Sequence, residues 1–120
     1  MTLRAVNPLY VAISESMVPN LNIGDIVVIN RNVPFDSLNL RDIIVFTTSG
    51  KTTESEHKTI VHRIADIETS RNSATSIITT RGDANPRPVA LMDYPIKGQN
   101  YIGKVVFTIP RVGMLSTWHF

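Results

Sequence analysis

The sequence contains no cysteine among its 120 residues. This absence excludes disulfides, thiolate nucleophiles and thiolate zinc sites, although it does not fix the compartment in which the protein works. Long apolar runs are also missing, since Ile26–Ile29 and Ile43–Phe46 are far shorter than the roughly 20 residues that a spanning helix needs. Covalent catalysis would therefore use a hydroxyl or an amine, and we expect this chain alone to be soluble.

An excess of charge of one sign is missing too. Twelve Lys and Arg residues are scattered against ten Asp and Glu residues, and the formal net charge is +2. No basic face of the kind that nucleic-acid binding requires is evident, so the sequence predicts no nucleic-acid partner. A hydrophobic content of 42% without a linker predicts a single domain over residues 1–120.

The sequence does contain short β-branched and apolar runs separated by turn residues. The runs are Leu9–Ile13, Asp25–Asn30, Asp42–Thr47, Thr59–Ile67, Thr75–Thr80 and Tyr101–Ile109. Pro and Gly residues between them leave room for at most one short helical turn, near Asp36–Leu40. Ile43–Phe46 is apolar on both pleat faces, which is typical of a strand covered on both sides. The sequence thus predicts a mainly β fold, a coiled or barrel-like sheet with little helix.

A pair of serines forms the first candidate for catalysis. Ser14 and Ser16 follow the first run, and Pro19 keeps Val18 extended. Residues two apart in extended backbone point to the same side, so the two hydroxyls share a face. A neighbouring base could activate Ser16 as a nucleophile, and Ser14 could donate to an oxyanion. The spacing does not distinguish these roles from those of ordinary turn residues.

His62 lies within the Thr59–Ile67 run, where it is either a general base or a hydrogen-bonded core residue. A neighbouring carboxylate would raise its pKa above the unperturbed value of about 6.5. His57 would point to the opposite face of a continuous strand, and His119 lies near the C-terminus. No metal-ligand spacing is present, so the sequence predicts no metal and no cofactor.

Two acids follow the Thr75–Thr80 run. Asp83 stands directly after Gly82, and Asp93 precedes Tyr94. A strand that ends in a Gly-Asp turn explains Gly82 and Asp83 without any chemistry. The pattern by itself leaves open whether either carboxylate belongs to a site.

Taken in order, these segments resemble the type I signal peptidases. The matching blocks are Ser16-Met17-Val18-Pro19 with Gly24-Asp25, Asp42-Ile43-Ile44-Val45-Phe46, Val61-His62-Arg63, Gly82-Asp83-Ala84-Asn85-Pro86 and Tyr101-Ile102-Gly103-Lys104-Val105. The bacterial branch of the family carries a Lys in place of His62, whereas the archaeal and endoplasmic-reticulum branch carries a His-Arg pair. The chain is therefore similar to the catalytic ectodomain of the second branch.

The resemblance implies a Ser-His-Asp arrangement in which Ser16 is the nucleophile and His62 the general base. The orienting carboxylate departs from the family pattern, because Val89 stands where relatives carry a second aspartate. Asp93 is the favoured replacement and Asp83 the alternative, while Ser14 is a candidate oxyanion donor. Arg41 also departs from the pattern, since relatives usually have a Gly there.

The same resemblance implies how the protein would work. An extended substrate would add as a strand beside the Ser16 segment, with pockets for small side chains. The expected substrates are secretory preproteins with small residues at the first and third positions before the cleaved bond. Relatives carry a membrane anchor ahead of Leu3, so we expect a trimmed domain of a cell-membrane protein that faces the extracytoplasmic or lumenal side. The tail residues Met114, Leu115, Trp118 and Phe120 would rest on the membrane surface or pack in the ordinary way.

Two alternative functions stay open. A repressor-type self-cleaving peptidase shares the fold family and the serine nucleophile but uses a Lys base. The sequence predicts no Lys on a central strand and shows no Ala-Gly scission site. A binding module that kept the fold but lost catalysis is the second alternative, because the aspartate is displaced.

Overall fold

The structure is a computed structural model that describes residues 3–6, 9–12, 17, 20–21, 24–48, 59–69, 76–90 and 92–110. Its strands are β1 (Leu3–Val6), β2 (Leu9–Ala12), β3 (Ile26–Asn30), β4 (Ile43–Thr47), β5 (Thr59–Thr69), β6 (Ser76–Arg81) and β7 (Tyr101–Ile109). Within these ranges the helices are two short 3-10 turns, Phe35–Ser37 and Gly98–Asn100. Neither of these described helices is long and apolar enough to cross a membrane.

All neighbouring strands pair antiparallel in one sheet, in the order β1-β2-β3-β7-β4-β5-β6. The last strand, β7, lies between β3 and β4 and so joins the first three strands to the β4-β5-β6 meander. The sheet is open, with β1 and β6 at its edges. A mainly β architecture with little helix is therefore confirmed.

Side chains are buried on both faces of the sheet, because alternate residues of a strand point to opposite sides. One face carries the cluster Met17, Leu21, Val27, Val45 and Val61. The other face carries the cluster Leu38, Ile44, Phe46, Ile60, Ile64, Ile78 and Ile96. Strands β4 and β5 contribute to both clusters, which explains why β4 is apolar at consecutive positions.

The chain that follows β6 returns along the outer edge of that strand. Ile78 and Ile96 exchange backbone hydrogen bonds of 2.8 and 2.9 Å, and the Thr80 N–H donates to the Asp93 carbonyl at 2.8 Å. These bonds cover part of an otherwise unpaired edge. They also hold Asp93 beside β6, within reach of side chains on β5.

Candidate active site

His62 is fully buried on β5. It lies directly opposite Ile44 of β4, and its ring meets Phe46 edge-on with a centroid separation of 6.3 Å. The pairing of β5 with β6 begins one residue later, where Arg63 lies opposite Arg81. His62 therefore lies at the position on β5 where the pairing with β6 stops.

The imidazole is paired with Asp93. Nδ1 of His62 is hydrogen-bonded to Oδ1 of Asp93, and neither side chain is exposed. Thr80 Oγ1 donates to the same oxygen at 2.8 Å, and the Val89 N–H donates to Oδ2 at 2.6 Å. An ionised carboxylate only accepts hydrogen bonds, so Nδ1 carries the ring proton and Nε2 holds the lone pair of the neutral imidazole.

Burial and the carboxylate act on the pKa of His62 in opposite directions. Burial, the larger effect, disfavours the charged ring, and the pKa of His62 lies below its usual value despite the hydrogen bond to Asp93. Asp93 raises the pKa of His62, as the sequence predicts, but burial outweighs this effect and makes the net shift downward.

Asp93 shows the same opposition of effects. Burial alone would raise the pKa of Asp93, but hydrogen bonds from His62, Val89 and Thr80 hold it below its usual value. The site thus favours a neutral imidazole beside an ionised carboxylate. A neutral imidazole is the form of histidine that can accept a proton.

Asp83 pairs with Arg63 and not with the imidazole. Arg63 Nε and Nη2 donate to its two carboxylate oxygens at 3.0 and 2.9 Å, which is a bidentate geometry. Arg63 Nη1 donates to the Arg41 carbonyl at 3.0 Å. Burial would raise the pKa of Asp83, but the bonds from Arg63 and Asn20 lower it below its usual value. Of the two acids considered, Asp93 is the one hydrogen-bonded to His62.

Asp83 also contacts the segment that follows Ser16. Asn20 Nδ2 donates to the Asp83 carboxylate at 2.7 Å, and the Asp83 N–H lies 3.2 Å from Met17 Sδ. Met17 is fully buried, and its carbonyl accepts a hydrogen bond from the Leu21 N–H at 2.9 Å. Asp83 therefore joins the strand that carries His62 to residues that directly follow Ser16 in the chain.

Several sequence-based candidates lie outside the described residues. These are Ser14, Ser16, His57, His119 and the apolar tail residues between 114 and 120. Their roles stay predictions. Within the described part of the chain, no group of three or more His, Asp or Glu side chains is placed to hold a metal ion.

The sequence did not single out Thr80 and Asn20. The sequence does not distinguish Thr80 from Thr79. The register of β6 is what turns the Thr80 hydroxyl towards Asp93. Asn20 becomes relevant only through a contact with Asp83, which is distant in the chain.

Lys104 bears on the alternative of a lysine-dependent peptidase. The expectation that no Lys lies on a central strand is wrong, because β7 lies between β3 and β4 and carries Lys104. Its Nζ lies 3.5 Å from Asp42 Oδ1. The described contact of this lysine is therefore an ion pair.

Comparison with known proteins leaves the family open. A scan against protein-family models gives no match to the chain, and a search of curated proteins gives no significant match. The function of the site is therefore argued from its geometry and from the residue pattern.

Proposed function

We propose that this protein is a serine endopeptidase that removes N-terminal signal peptides from secretory preproteins, as type I signal peptidases of the archaeal kind do. The observation that carries the proposal is the buried His62–Asp93 pair. Thr80 and Val89 hold the carboxylate, the carboxylate orients the ring, and the ring is favoured in its neutral form. This is the part of a Ser-His-Asp arrangement that prepares a general base.

In the proposed reaction, Nε2 of His62 takes the Ser16 proton while Oγ attacks the carbonyl carbon of the scissile bond. The new C–O bond pushes the carbonyl electrons onto oxygen, and Asp93 stabilises the imidazolium. The imidazolium gives its proton to the leaving amine, the C–N bond breaks, and an acyl group stays on Ser16. A water molecule, deprotonated by His62, then attacks the ester carbon, the bond to Ser16 Oγ breaks, and His62 returns the proton to Ser16 as the acid product leaves. Ser14 is the candidate donor to the oxyanion.

Asp83 has a different task in this proposal. It is a positioning residue, because Arg63 follows the base in the chain while Met17 and Asn20 follow the nucleophile. A shift of one ångström between base and nucleophile is enough to slow such reactions strongly. Contacts of Asp83 with both the Arg63 segment and the segment after Ser16 would limit that shift.

The substrate class rests on the resemblance of the sequence blocks. An extended preprotein segment would pair with the chain beside Ser16, and small residues would occupy the side-chain pockets. In this proposal the full-length protein works at the cell membrane, with its catalytic domain on the extracytoplasmic or lumenal side.

A fluorophosphonate probe tests the proposed nucleophile. We expect it to label the folded chain on Ser16, located by mass spectrometry of the digested protein, and to leave Ser16→Ala unlabelled. Ser37→Ala is the matched control, because Ser37 is exposed and its hydroxyl donates to the Pro34 carbonyl at 2.8 Å. An unlabelled wild-type chain, or equal labelling of Ser16→Ala, would contradict the proposal. Two fragments in the mass spectrum of the intact sample would favour the self-cleaving alternative.

A further inference from the structure

A cavity of about 700 Å³ lies beside the Arg63–Asp83 pair. Among the described residues, its lining includes three arginines, Arg41, Arg63 and Arg81, and one acid, Asp83. Arginine stays protonated in proteins. The charged residues described in this lining therefore carry an excess of two positive charges.

Two of these arginines are held close together by the sheet. Arg63 and Arg81 lie directly opposite each other in the β5–β6 pairing, an arrangement that is unfavourable for like charges. Three of the five N–H donors of Arg63 are used by Asp83 and by the Arg41 carbonyl, and Arg81 Nη1 donates to the Asn85 carbonyl. The Asp83 carboxylate is hydrogen-bonded to Arg63 and is also stabilised by the charge of Arg81, and an anion in the cavity would relieve the repulsion between these two guanidinium groups.

Arg41 lines this cavity from a strained backbone position. Its φ of 74° lies in the left-handed region that glycine adopts readily and other residues rarely do. The turn is held by backbone hydrogen bonds, from the Arg41 N–H to the Ile64 carbonyl at 3.0 Å and from the Ile64 N–H to the Asp42 carbonyl at 2.8 Å. A glycine would make the same bonds without strain. Compared with glycine, arginine contributes only its side chain at this position. Backbone strain of this kind is often retained at functional sites.

We propose that this cavity binds a phosphate group, held by Arg41 and Arg81 and supported by Arg63. A phosphate monoester carries roughly −1.5 to −2 charges at pH 7, which matches the excess of positive charge. Guanidinium groups recognise phosphate oxygens in bidentate fashion. One guanidinium group is enough to bind both oxygens of a carboxylate, as Arg63 does with Asp83. A free phosphate ion and the phosphate of an anionic lipid headgroup share this chemistry.

Phosphate binding can be measured by titrating inorganic phosphate into the isotope-labelled full chain and following its amide and arginine NMR signals. We expect saturable shifts centred on the three arginines, up to about 100 mM phosphate, a concentration that saturates even a millimolar site. Arg41→Gly should weaken binding about tenfold, because it removes a charge-assisted donor. The same variant should keep or raise Tm, since it relieves backbone strain, so misfolding is separated from loss of the site.

Arg87→Gln is the matched control, because Arg87 is exposed and does not line the cavity. It should leave the phosphate affinity unchanged. Equal weakening in Arg41→Gly and Arg87→Gln would overturn the proposal, because binding would then follow net charge alone.

Vesicles distinguish the two sources of phosphate. A lipid headgroup is identified if the chain sediments with phosphatidic acid vesicles but not with phosphatidylcholine vesicles, and if Arg41→Gly no longer sediments with the former. Shifts with inorganic phosphate but no sedimentation identify the free ion. The proposal fails if neither probe binds, or if wild type and Arg41→Gly bind phosphatidic acid vesicles equally well. These readouts measure binding only, so they do not depend on the peptidase proposal.

Discussion

The Asp93→Asn substitution replaces one oxygen of a fully buried carboxylate with an NH₂ group. Asp93 accepts bonds from His62 and Thr80 through one oxygen and from Val89 through the other. If the amide NH₂ faces the Val89 N–H, that N–H loses its acceptor, while His62 and Thr80 keep the amide oxygen as their partner. A buried unsatisfied donor costs about 1–3 kcal/mol, so the free energy of unfolding should fall by about that amount. A domain with a typical stability of about 5–15 kcal/mol stays folded after such a loss.

The other orientation of the amide would harm catalysis more directly. If the NH₂ faces His62, it donates to Nδ1 and moves the ring proton to Nε2, so the ring no longer accepts the Ser16 proton. The wrong tautomer in a triad of this kind lowers kcat by about four orders of magnitude. Asp83→Asn is the matched comparison, because Asp83 lies in the same loop but is bonded to Arg63 and Asn20. We expect about a tenfold loss there, since only positioning is weakened.

The two variants are compared by cleavage of an Ala-x-Ala peptide in detergent and by urea unfolding. Wild-type kcat/KM in a folded Asp93→Asn variant would refute the reasoning. A larger loss in Asp83→Asn than in Asp93→Asn would assign the orienting role to Asp83.

The pH profile supplies a second readout of the same pair. Activity should fall on the acid side with a break below about pH 6.5, because burial lowers the pKa of His62 and only the neutral ring is active. Asp93→Asn should move this break to lower pH, since Asp93 favours the charged ring. Stability should also fall as pH drops below the unfolded His value, and further as Asp93, whose folded pKa is depressed, is protonated. A flat acid limb in a folded protein would exclude His62 as the base.

Three further results follow from described contacts. Asn20→Ala should lower kcat about tenfold with little change in KM, because it removes the hydrogen bond between the segment after Ser16 and Asp83. An unchanged kcat would show that this hydrogen bond does not position the nucleophile. His62→Lys should stay inactive in the cleavage assay, since a lysine must be desolvated to be neutral at pH 7, and substantial turnover would show a site suited to lysine. Gly103→Ala should cost about 1–3 kcal/mol in urea unfolding, because its Cβ would lie 3.1 Å from the Asn30 carbonyl oxygen; an unchanged midpoint would mean that the strands can separate.

Six of the seven described strands were predictable because each is a local run of β-branched and apolar residues, whereas β1 was not among the predicted runs. The six predicted runs all contain strands, with bounds that differ by at most two residues. The strand order was not predictable from local patterns, because the insertion of β7 between β3 and β4 depends on contacts between distant parts of the chain. For the same reason Lys104 was not recognised as a residue of a central strand.

The candidate site was predictable in its residue types and less so in its energetics. His62 was named from the sequence blocks and Asp93 as the favoured replacement for the aspartate missing at Val89, and the structure brings the two together. The sign of the His62 pKa shift could not be read from the sequence, because it depends on how fully β4 and the chain after β6 bury the ring. Thr80 and Val89 were missed because their bonds to Asp93 arise from strand register and from a loop.

Cleavage of a secretory preprotein tests the central claim most directly. The wild-type chain, Ser16→Ala and His62→Ala are each incubated with the preprotein in detergent, and the products are identified by mass spectrometry. The account predicts a single cut by the wild-type chain after an Ala-x-Ala sequence, and no cut by either variant while circular dichroism shows both to be folded. An intact preprotein with the wild-type chain, or the same cut with either variant, would contradict it.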